Sequence, residues 1–229
     1  MPEEIVLYFW PTPNGQKIAI MLEELGEPYR VHYVNINANE QFDPAFLAVS
    51  PNNKIPAITD PEGPDGNALS LFESGAILQY LGRKYEHLYA SNERIKAEVD
   101  QWLFWQAGGL GPMAGQCLHF RVYASEKITY AIERYTSEVA RLFGVMERRL
   151  AGRDYLAGEY SIADIACFPW IRRWADLGQD IDAFPKIKSW LERIGARPAV
   201  IAALEIGREP QARINTPAVG HSPLSARSP

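Results

Sequence analysis

Segments with strand character occur only in the first third of the chain, and this asymmetry constrains the fold more than any other feature. Four short apolar or alternating segments, IVLYF, a segment over residues 29–36, KIPAITD and NALSLFE, predict strands. After residue 94 the apolar residues instead recur every three or four positions, which is typical of long amphipathic helices. We therefore predict two domains, an α/β domain over residues 1–86 and an all-helical domain over residues 94–204.

The order of elements in the first domain narrows its topology. Ile18, Met21, Leu22 and Leu25 follow the first strand at helical spacing, and a parallel second strand would complete a right-handed βαβ unit. The turn-rich PEGPDG separates two strands that we expect to pair as an antiparallel hairpin, and a helix is expected over residues 74–85. The resulting order, β-α-β-α-β-β-α, predicts a thioredoxin-like fold.

Three further segments of the second half carry specific expectations. The segment QAGGLGPM places glycines and a proline together and predicts a kink or break between helices. Ser161 and Asp164 have the spacing of a capping box at a helix start. Residues 205–229 form a Pro/Ser-rich tail of a composition that normally stays disordered, and we expect it to be held against the folded body or a partner subunit.

Charge and cysteine content argue against several classes of function. The formal net charge is −5 and basic residues are not clustered, so nucleic acid is not an expected partner. Charged residues interrupt every apolar segment, so we expect no membrane association and a cytoplasmic protein. Cys117 and Cys167 lack the spacing of a metal site and are expected to be small buried side chains. The four histidines are scattered and receive no role, and no metal is expected.

The turn between the first strand and the first helix, Pro11-Thr12-Pro13-Asn14-Gly15, is the first candidate site. A helix N-terminus favours a nearby anion, but this turn contains no cysteine or serine. Thr12 and Asn14 can donate hydrogen bonds to a thiolate that a ligand supplies, whereas the alternative is that Asn14 only caps the helix. Tyr8 and Tyr33 are alternative groups for activating a thiol.

Other polar features also fall at predicted strand ends, where ligands gather in open α/β sheets. A cis bond at Ile55-Pro56 would turn the Ile55 backbone outward toward an extended ligand, although trans is the default for such bonds. Glu73 precedes a helix and can pair with a ligand ammonium. Ser74 can bind a carboxylate or act as a plain N-cap. Gln41 lies in the loop after the second predicted strand.

These segments together resemble the glutathione transferase superfamily. The resemblance is carried by the thioredoxin-like half, NNKIPAI, FESGAILQYL and YSIADIA, and extends to about residue 205. PTPNGQKI, SPNNKIPAI, QWLFWQAGGLGPM and YAIERY resemble more narrowly the bacterial Nu class, which is akin to the yeast nitrogen-regulating prion protein. The resemblance implies a homodimeric, glutathione-dependent disulfide-bond reductase that uses the thiols of bound glutathione as co-substrate.

The resemblance also assigns residues to glutathione. It implies that Glu73 and Ser74 hold the γ-glutamyl end, that Ile55 pairs with the cysteinyl backbone through a cis Pro56, and that Gln41 helps to hold the glycyl end. Lys54 is a weaker candidate for the glycyl end. Arg134 is implied to reach a ligand carboxylate, within its own subunit or across the dimer, although from sequence alone it is a surface arginine.

Two other functions stay open at this point. The same thiolate would serve conjugation of glutathione to electrophiles or reduction of organic hydroperoxides. A non-catalytic, glutathione-binding regulatory protein is an alternative of another class, because fold does not fix function. Three aromatic side chains, Trp102, Phe104 and Trp105, are expected to pack at the domain interface, and some of them to line the acceptor pocket.

Overall fold

The computed structural model describes residues 4–207 and contains a four-stranded mixed sheet followed by a helical half. The strands are β1 (Ile5–Phe9), β2 (Tyr29–Tyr33), β3 (Ala57–Asp60) and β4 (Leu69–Phe72). The helices of the first half are α1 (Pro13–Leu25), α2 (Pro44–Leu47) and α3 (Ser74–Lys84). Those of the second half are α4 (Glu93–Trp105), α5 (Gly111–Leu118), α6 (Thr129–Arg149), α7 (Ile162–Ile171), α8 (Pro185–Gly195) and α9 (Pro198–Ile206).

The sheet confirms the predicted thioredoxin-like order. Its strands lie in the order β2-β1-β3-β4, with β1 parallel to β2 and with β3 antiparallel to both β1 and β4. Alternate residues of β1, namely Ile5, Leu7 and Phe9, are buried in the main core. Because β3 runs antiparallel to both β1 and β4, the residues that follow β1, precede β3 and follow β4 lie at the same end of the sheet.

Helix α1 packs against both halves of the molecule. It contacts β1 and α3 on the sheet side and α7 and α9 on the helical side. Every residue from Gly15 to Leu22 is buried, so the helix is enclosed over more than two turns. One continuous apolar core therefore joins the two halves, and α1 runs through it.

The structure corrects two expectations about individual elements. Strand β2 ends at Tyr33 rather than near residue 36, because the Asn35 side chain accepts from the Asn37 N–H and starts a 3-10 turn. Of the kink or break expected at QAGGLGPM, the break is absent. A π-helical turn, Gln106–Leu110, continues α4 directly into α5, and such a wide turn accommodates Pro112, which has no N–H.

The aromatic residues near the end of α4 behave differently from one another. Trp102 and Trp105 form an edge-to-face pair with ring centroids 5.2 Å apart and pack on the core. Phe104 is 67% exposed, so the expectation that it packs at the interface is wrong for this chain. The expected tail over residues 205–229 lies almost entirely outside the described residues, which end at Gly207.

The predicted capping box is present at the start of α7. The Ser161 side chain accepts from the Ala163 N–H, and the buried Asp164 carboxylate accepts from Ser161 N at 3.2 Å. Asp164 also accepts from Leu156 N at 3.0 Å and from the Trp190 indole N–H at 2.9 Å. This one carboxylate therefore ties α7 to the preceding loop and to α8.

We expect Asp164→Ala to lower the free energy of unfolding by about 3 kcal/mol, because it leaves several buried donors without an acceptor. Urea denaturation measures the loss. Asp43→Ala is the matched control: Asp43 is an exposed helix N-cap whose side chain makes no capping bond, and its replacement should cost no more than about 0.5 kcal/mol. Equal losses in the two variants would contradict the role given to Asp164.

Candidate glutathione site

The β1–α1 turn is shaped by Thr12 and Gly15. Thr12 is the N-cap of α1, and its Oγ1 accepts from the Gly15 N–H at 3.2 Å. A Cβ on Gly15 would lie 2.3 Å from the Trp10 carbonyl oxygen, so only glycine lets the helix start this close to the end of β1. Asn14 is therefore not the cap, and the alternative that it only caps the helix is wrong.

Asn14 is held by the helical half of the molecule. Its Oδ1 accepts from the Trp170 indole N–H at 3.0 Å. Because an indole N–H only donates, this bond fixes the orientation of the amide and leaves the Asn14 NH₂ group for another acceptor. Asn14 is half-buried, so a ligand atom at this position would be partly shielded from water.

A cavity of about 240 Å³ opens beside this turn. It brings together five of the predicted site residues, and the Ile55–Pro56 bond at its wall is cis, as the resemblance implied. The lining residues are Asn14, Lys54, Ile55, Pro56, Phe72, Glu73 and Ser74. Residues from three separate strand ends thus face one small space.

Glu73 and Ser74 connect β4 to α3 at this cavity. Glu73 has φ 70° and ψ 110°, a conformation that a non-glycine residue rarely adopts and that costs about 1–3 kcal/mol. Strain of this kind is found most often where a binding or catalytic site requires it. Ser74 is the first residue of α3 and not its N-cap, so the alternative that Ser74 only caps the helix is wrong. Its Oγ instead accepts a hydrogen bond from Lys17 Nζ at 3.2 Å.

Lys17 is a buried residue of the site that the sequence did not reveal. Its side chain is enclosed, with Nζ 2.7 Å from the Gln106 Oε1 and within hydrogen-bond distance of Ser74. Burial lowers the pKa of Lys17 to about 7, and the nearby Cys167 and Glu73 only partly oppose this. A lysine on an amphipathic helix resembles a surface residue in sequence, and its neighbours come from α3, the π-helical turn and α7.

Other predicted residues lie outside this cavity. Gln41 lies in the 3-10 turn Glu40–Phe42, with its Oε1 buried and without a partner in the described structure. Arg134 lines a different cavity, of about 710 Å³, on α6. Tyr8 packs against His32 and Phe46, and the Tyr33 hydroxyl donates to the Ile206 carbonyl oxygen.

The two cysteines do not provide a reactive thiol at this site. Both are unpaired and fully buried in the helical half, as expected. Burial raises the pKa of Cys117 and of Cys167, which disfavours their thiolates. Residues 4–207 contain no group of His, Cys, Asp and Glu side chains arranged to hold a metal ion, and none of their helices is long and apolar enough to cross a bilayer.

Comparison with protein-family models identifies the family to which the chain belongs. Residues 7–92 match the model for the glutathione S-transferase N-terminal domain, and residues 118–198 match that for the glutathione S-transferase C-terminal domain. The chain belongs to the glutathione S-transferase family.

Individual relatives span most of the chain. It is 52% identical to the disulfide-bond oxidoreductase YfcG of Escherichia coli over 202 residues, which cover 87% of this chain and 94% of YfcG. It is 38% identical to the transcriptional regulator URE2 of Saccharomyces cerevisiae over 84% of this chain and 65% of URE2.

Solved structures of the family are also similar to this chain along most of its length. A glutathione transferase family member from Pseudomonas fluorescens, crystallised with two glutathione molecules, has a TM-score of 0.85 and 49% identity and covers 90% of this chain and 94% of its own. A glutathione transferase from Pseudomonas putida, with one glutathione disulfide bound per subunit, has a TM-score of 0.85 and 45% identity. The match covers 90% of this chain and 92% of the Pseudomonas putida chain.

The lowered pKa of Lys17 predicts a pH-dependent stability. Between pH 7 and 8.5 the unfolded chain keeps the Lys17 proton and the folded chain loses it, so stability rises with pH. We expect the free energy of unfolding of the parent to gain about 1–2 kcal/mol relative to Lys17→Met across this window. Urea denaturation at several pH values measures the difference.

Lys186→Met, at an exposed lysine, is the control and should show no such trend. A difference between the parent and Lys17→Met that stays constant with pH would contradict the assignment of a lowered pKa to Lys17.

Proposed function

We propose that this protein is a glutathione-dependent disulfide-bond reductase in which bound glutathione supplies the reacting sulfur. The observation that carries the proposal is the start of α1, where Thr12 caps the helix and the free amide group of Asn14 borders a cavity without a protein thiol. Donors at a helix N-terminus stabilise a thiolate, and the thiolate is the nucleophile of disulfide exchange.

The cavity offers a group for each end of glutathione. The Glu73 carboxylate suits the γ-glutamyl ammonium, and the Ser74 hydroxyl with the N-terminus of α3 suits the neighbouring carboxylate. Because Lys17 donates to the Ser74 oxygen, the Ser74 hydroxyl proton is left to donate to that carboxylate. The Ile55 backbone suits the cysteinyl unit. Gln41 is assigned to the glycyl end, and Lys54, which lines the cavity, is the second candidate for the glycyl carboxylate.

The reaction is two successive exchanges. The glutathione thiolate attacks one sulfur of the acceptor disulfide, so that a glutathione mixed disulfide forms and one acceptor thiolate leaves and takes a proton. A second glutathione thiolate then attacks the glutathione sulfur of the mixed disulfide and releases the second acceptor thiol. Two glutathione molecules are oxidised to one glutathione disulfide, and one disulfide is reduced to two thiols.

The relatives favour this reaction over the alternatives. YfcG is named a disulfide-bond oxidoreductase, and structural neighbours hold two glutathione molecules or one glutathione disulfide. A site for conjugation needs one glutathione, whereas a disulfide-reductase site should hold two glutathione units. The similarity to URE2 supports the regulatory alternative, and purified protein that binds glutathione without reducing any disulfide would favour it.

Three further assignments are part of the proposal. We assign the chain to the Nu class and expect a homodimer in which Arg134, which lines a different cavity of its own chain, reaches a glutathione carboxylate of the other subunit. A cytoplasmic location suits a protein that consumes reduced glutathione and keeps both described cysteines unpaired.

We expect Asn14→Ala to lower kcat for hydroxyethyl disulfide by about tenfold at neutral pH, which corresponds to about 1.4 kcal/mol of lost thiolate stabilisation. Glutathione affinity should change by less than about threefold, because the γ-glutamyl contacts remain. The difference in kcat between the parent and Asn14→Ala should shrink as pH rises, because the glutathione thiol then ionises without the hydrogen bond from Asn14. Steady-state rates across pH, with calorimetric glutathione binding, measure both effects.

The double variant Cys117→Ala/Cys167→Ala is the control and should keep most of the activity. A folded double variant without activity, together with a fully active Asn14→Ala variant, would mean that the sulfur comes from the protein.

A further inference from the structure

A second cavity borders the same β1–α1 turn. It has a volume of about 410 Å³ and is more polar than the glutathione cavity. Pro11 and Pro13, on either side of Thr12, form part of its wall, while the smaller cavity reaches Asn14 of the same turn. The two cavities therefore border consecutive residues, Pro13 and Asn14, of the turn that carries the residues assigned to the glutathione thiolate. We call the larger one the acceptor cavity; its other lining residues are Gln16, Tyr123, Arg172, Arg173, Ala175 and Asp176.

The charged side chains of the acceptor cavity leave one positive charge unbalanced. Arg173 lies 2.9 Å from the Asp176 carboxylate and also donates to the Tyr123 hydroxyl at 2.9 Å. Arg172 has no carboxylate within salt-bridge distance in residues 4–207. Two arginines and one aspartate line the cavity, so its net charge is +1.

The electrostatic surroundings of Arg172 are unfavourable to its charge. Arg172 is exposed to solvent over part of its surface; loss of water around the rest of the side chain lowers its pKa, and the adjacent Arg173 lowers it further. Other arginines near the domain core have carboxylate partners: Arg197 pairs bidentately with Glu24, and Arg149 pairs with Glu98. An anion in the acceptor cavity would give Arg172 the partner that these arginines already have.

We propose that the acceptor cavity binds disulfides that carry a carboxylate a few bonds from the sulfur, with Arg172 binding that carboxylate. This proposal rests on the proposed function and names the substrate class of the same reaction. Arg172 follows α7 directly and is two residues after Trp170, whose indole holds Asn14, so the carboxylate and the reacting sulfur would be positioned by one short segment. The covalent steps are unchanged.

The position of Arg172 at the C-terminal end of α7 offers a competing explanation. A cation there is favourable to the helix dipole whether or not a ligand binds. If this were its only role, replacing Arg172 would lower the stability of the fold and would change the rates for all disulfides by the same factor. A ligand role would instead depend on the charge of the disulfide, so acceptors of different charge separate the two.

The test compares three small disulfides at saturating glutathione: dithiodipropionate, which is anionic, hydroxyethyl disulfide, which is neutral, and cystamine, which is cationic. For Arg172→Gln we expect kcat/KM for dithiodipropionate to fall about fivefold, with hydroxyethyl disulfide within about twofold and cystamine unchanged or improved. Arg172→Lys should recover part of the loss. Arg148→Gln, at an exposed arginine of α6, is the matched control and should leave all three values unchanged.

The outcomes are distinguishable. An equal loss for all three disulfides, or an unchanged preference among them, overturns the assignment of Arg172 while the reductase function stands. Failure of the parent protein to reduce even hydroxyethyl disulfide overturns the proposed function and this inference with it. A preference for dithiodipropionate that weakens with added salt in the parent and is absent in Arg172→Gln supports the inference.

Discussion

The enclosure of α1 between the sheet and the helical half is the constraint on which the rest of the structure depends. The helix is buried along more than two turns, with β1 and α3 on one side and α7 and α9 on the other. Its N-terminus is therefore fixed relative to both halves. Gly15 allows that N-terminus to approach the end of β1, and Thr12 caps it, so the positive end of the helix meets the cavity in a single orientation.

Two polar contacts from α1 to the helical half prepare the site before any ligand binds. The Trp170 indole holds Asn14, and Gln106 accepts from the buried Lys17. Lys17 in turn holds the Ser74 hydroxyl of the same cavity. The helical half thus positions the group assigned to the thiolate directly, through Trp170, and the group assigned to the γ-glutamyl carboxylate indirectly, through Gln106 and Lys17. Preorganised donors of this kind require little rearrangement when charge develops.

Sequence reasoning was most accurate where local chemistry decides the structure. Apolar runs identified β1 and the β3–β4 hairpin, and the spacing of Ser161 and Asp164 identified a capping box. It failed where distant residues decide: the indole of Trp170 orients the Asn14 amide, and burial by three elements changes the ionisation of Lys17. Similarly, the glycines and proline of QAGGLGPM predict a kink or break, and the structure has no break because the segment stays helical through a π-turn. The cis bond before Pro56 came from family resemblance, because local sequence favours trans.

The central claim is that the start of α1 stabilises the thiolate of bound glutathione. Titration of the ultraviolet thiolate absorbance of the glutathione complex, against free glutathione and against the complex of a variant without Cys117 and Cys167, tests it directly. The account predicts that binding lowers the pKa of the glutathione thiol by about one unit or more, equally in the parent and in the cysteine-free variant. A bound thiol that titrates like free glutathione, or a low-pKa thiolate that disappears with the two cysteines, would contradict it.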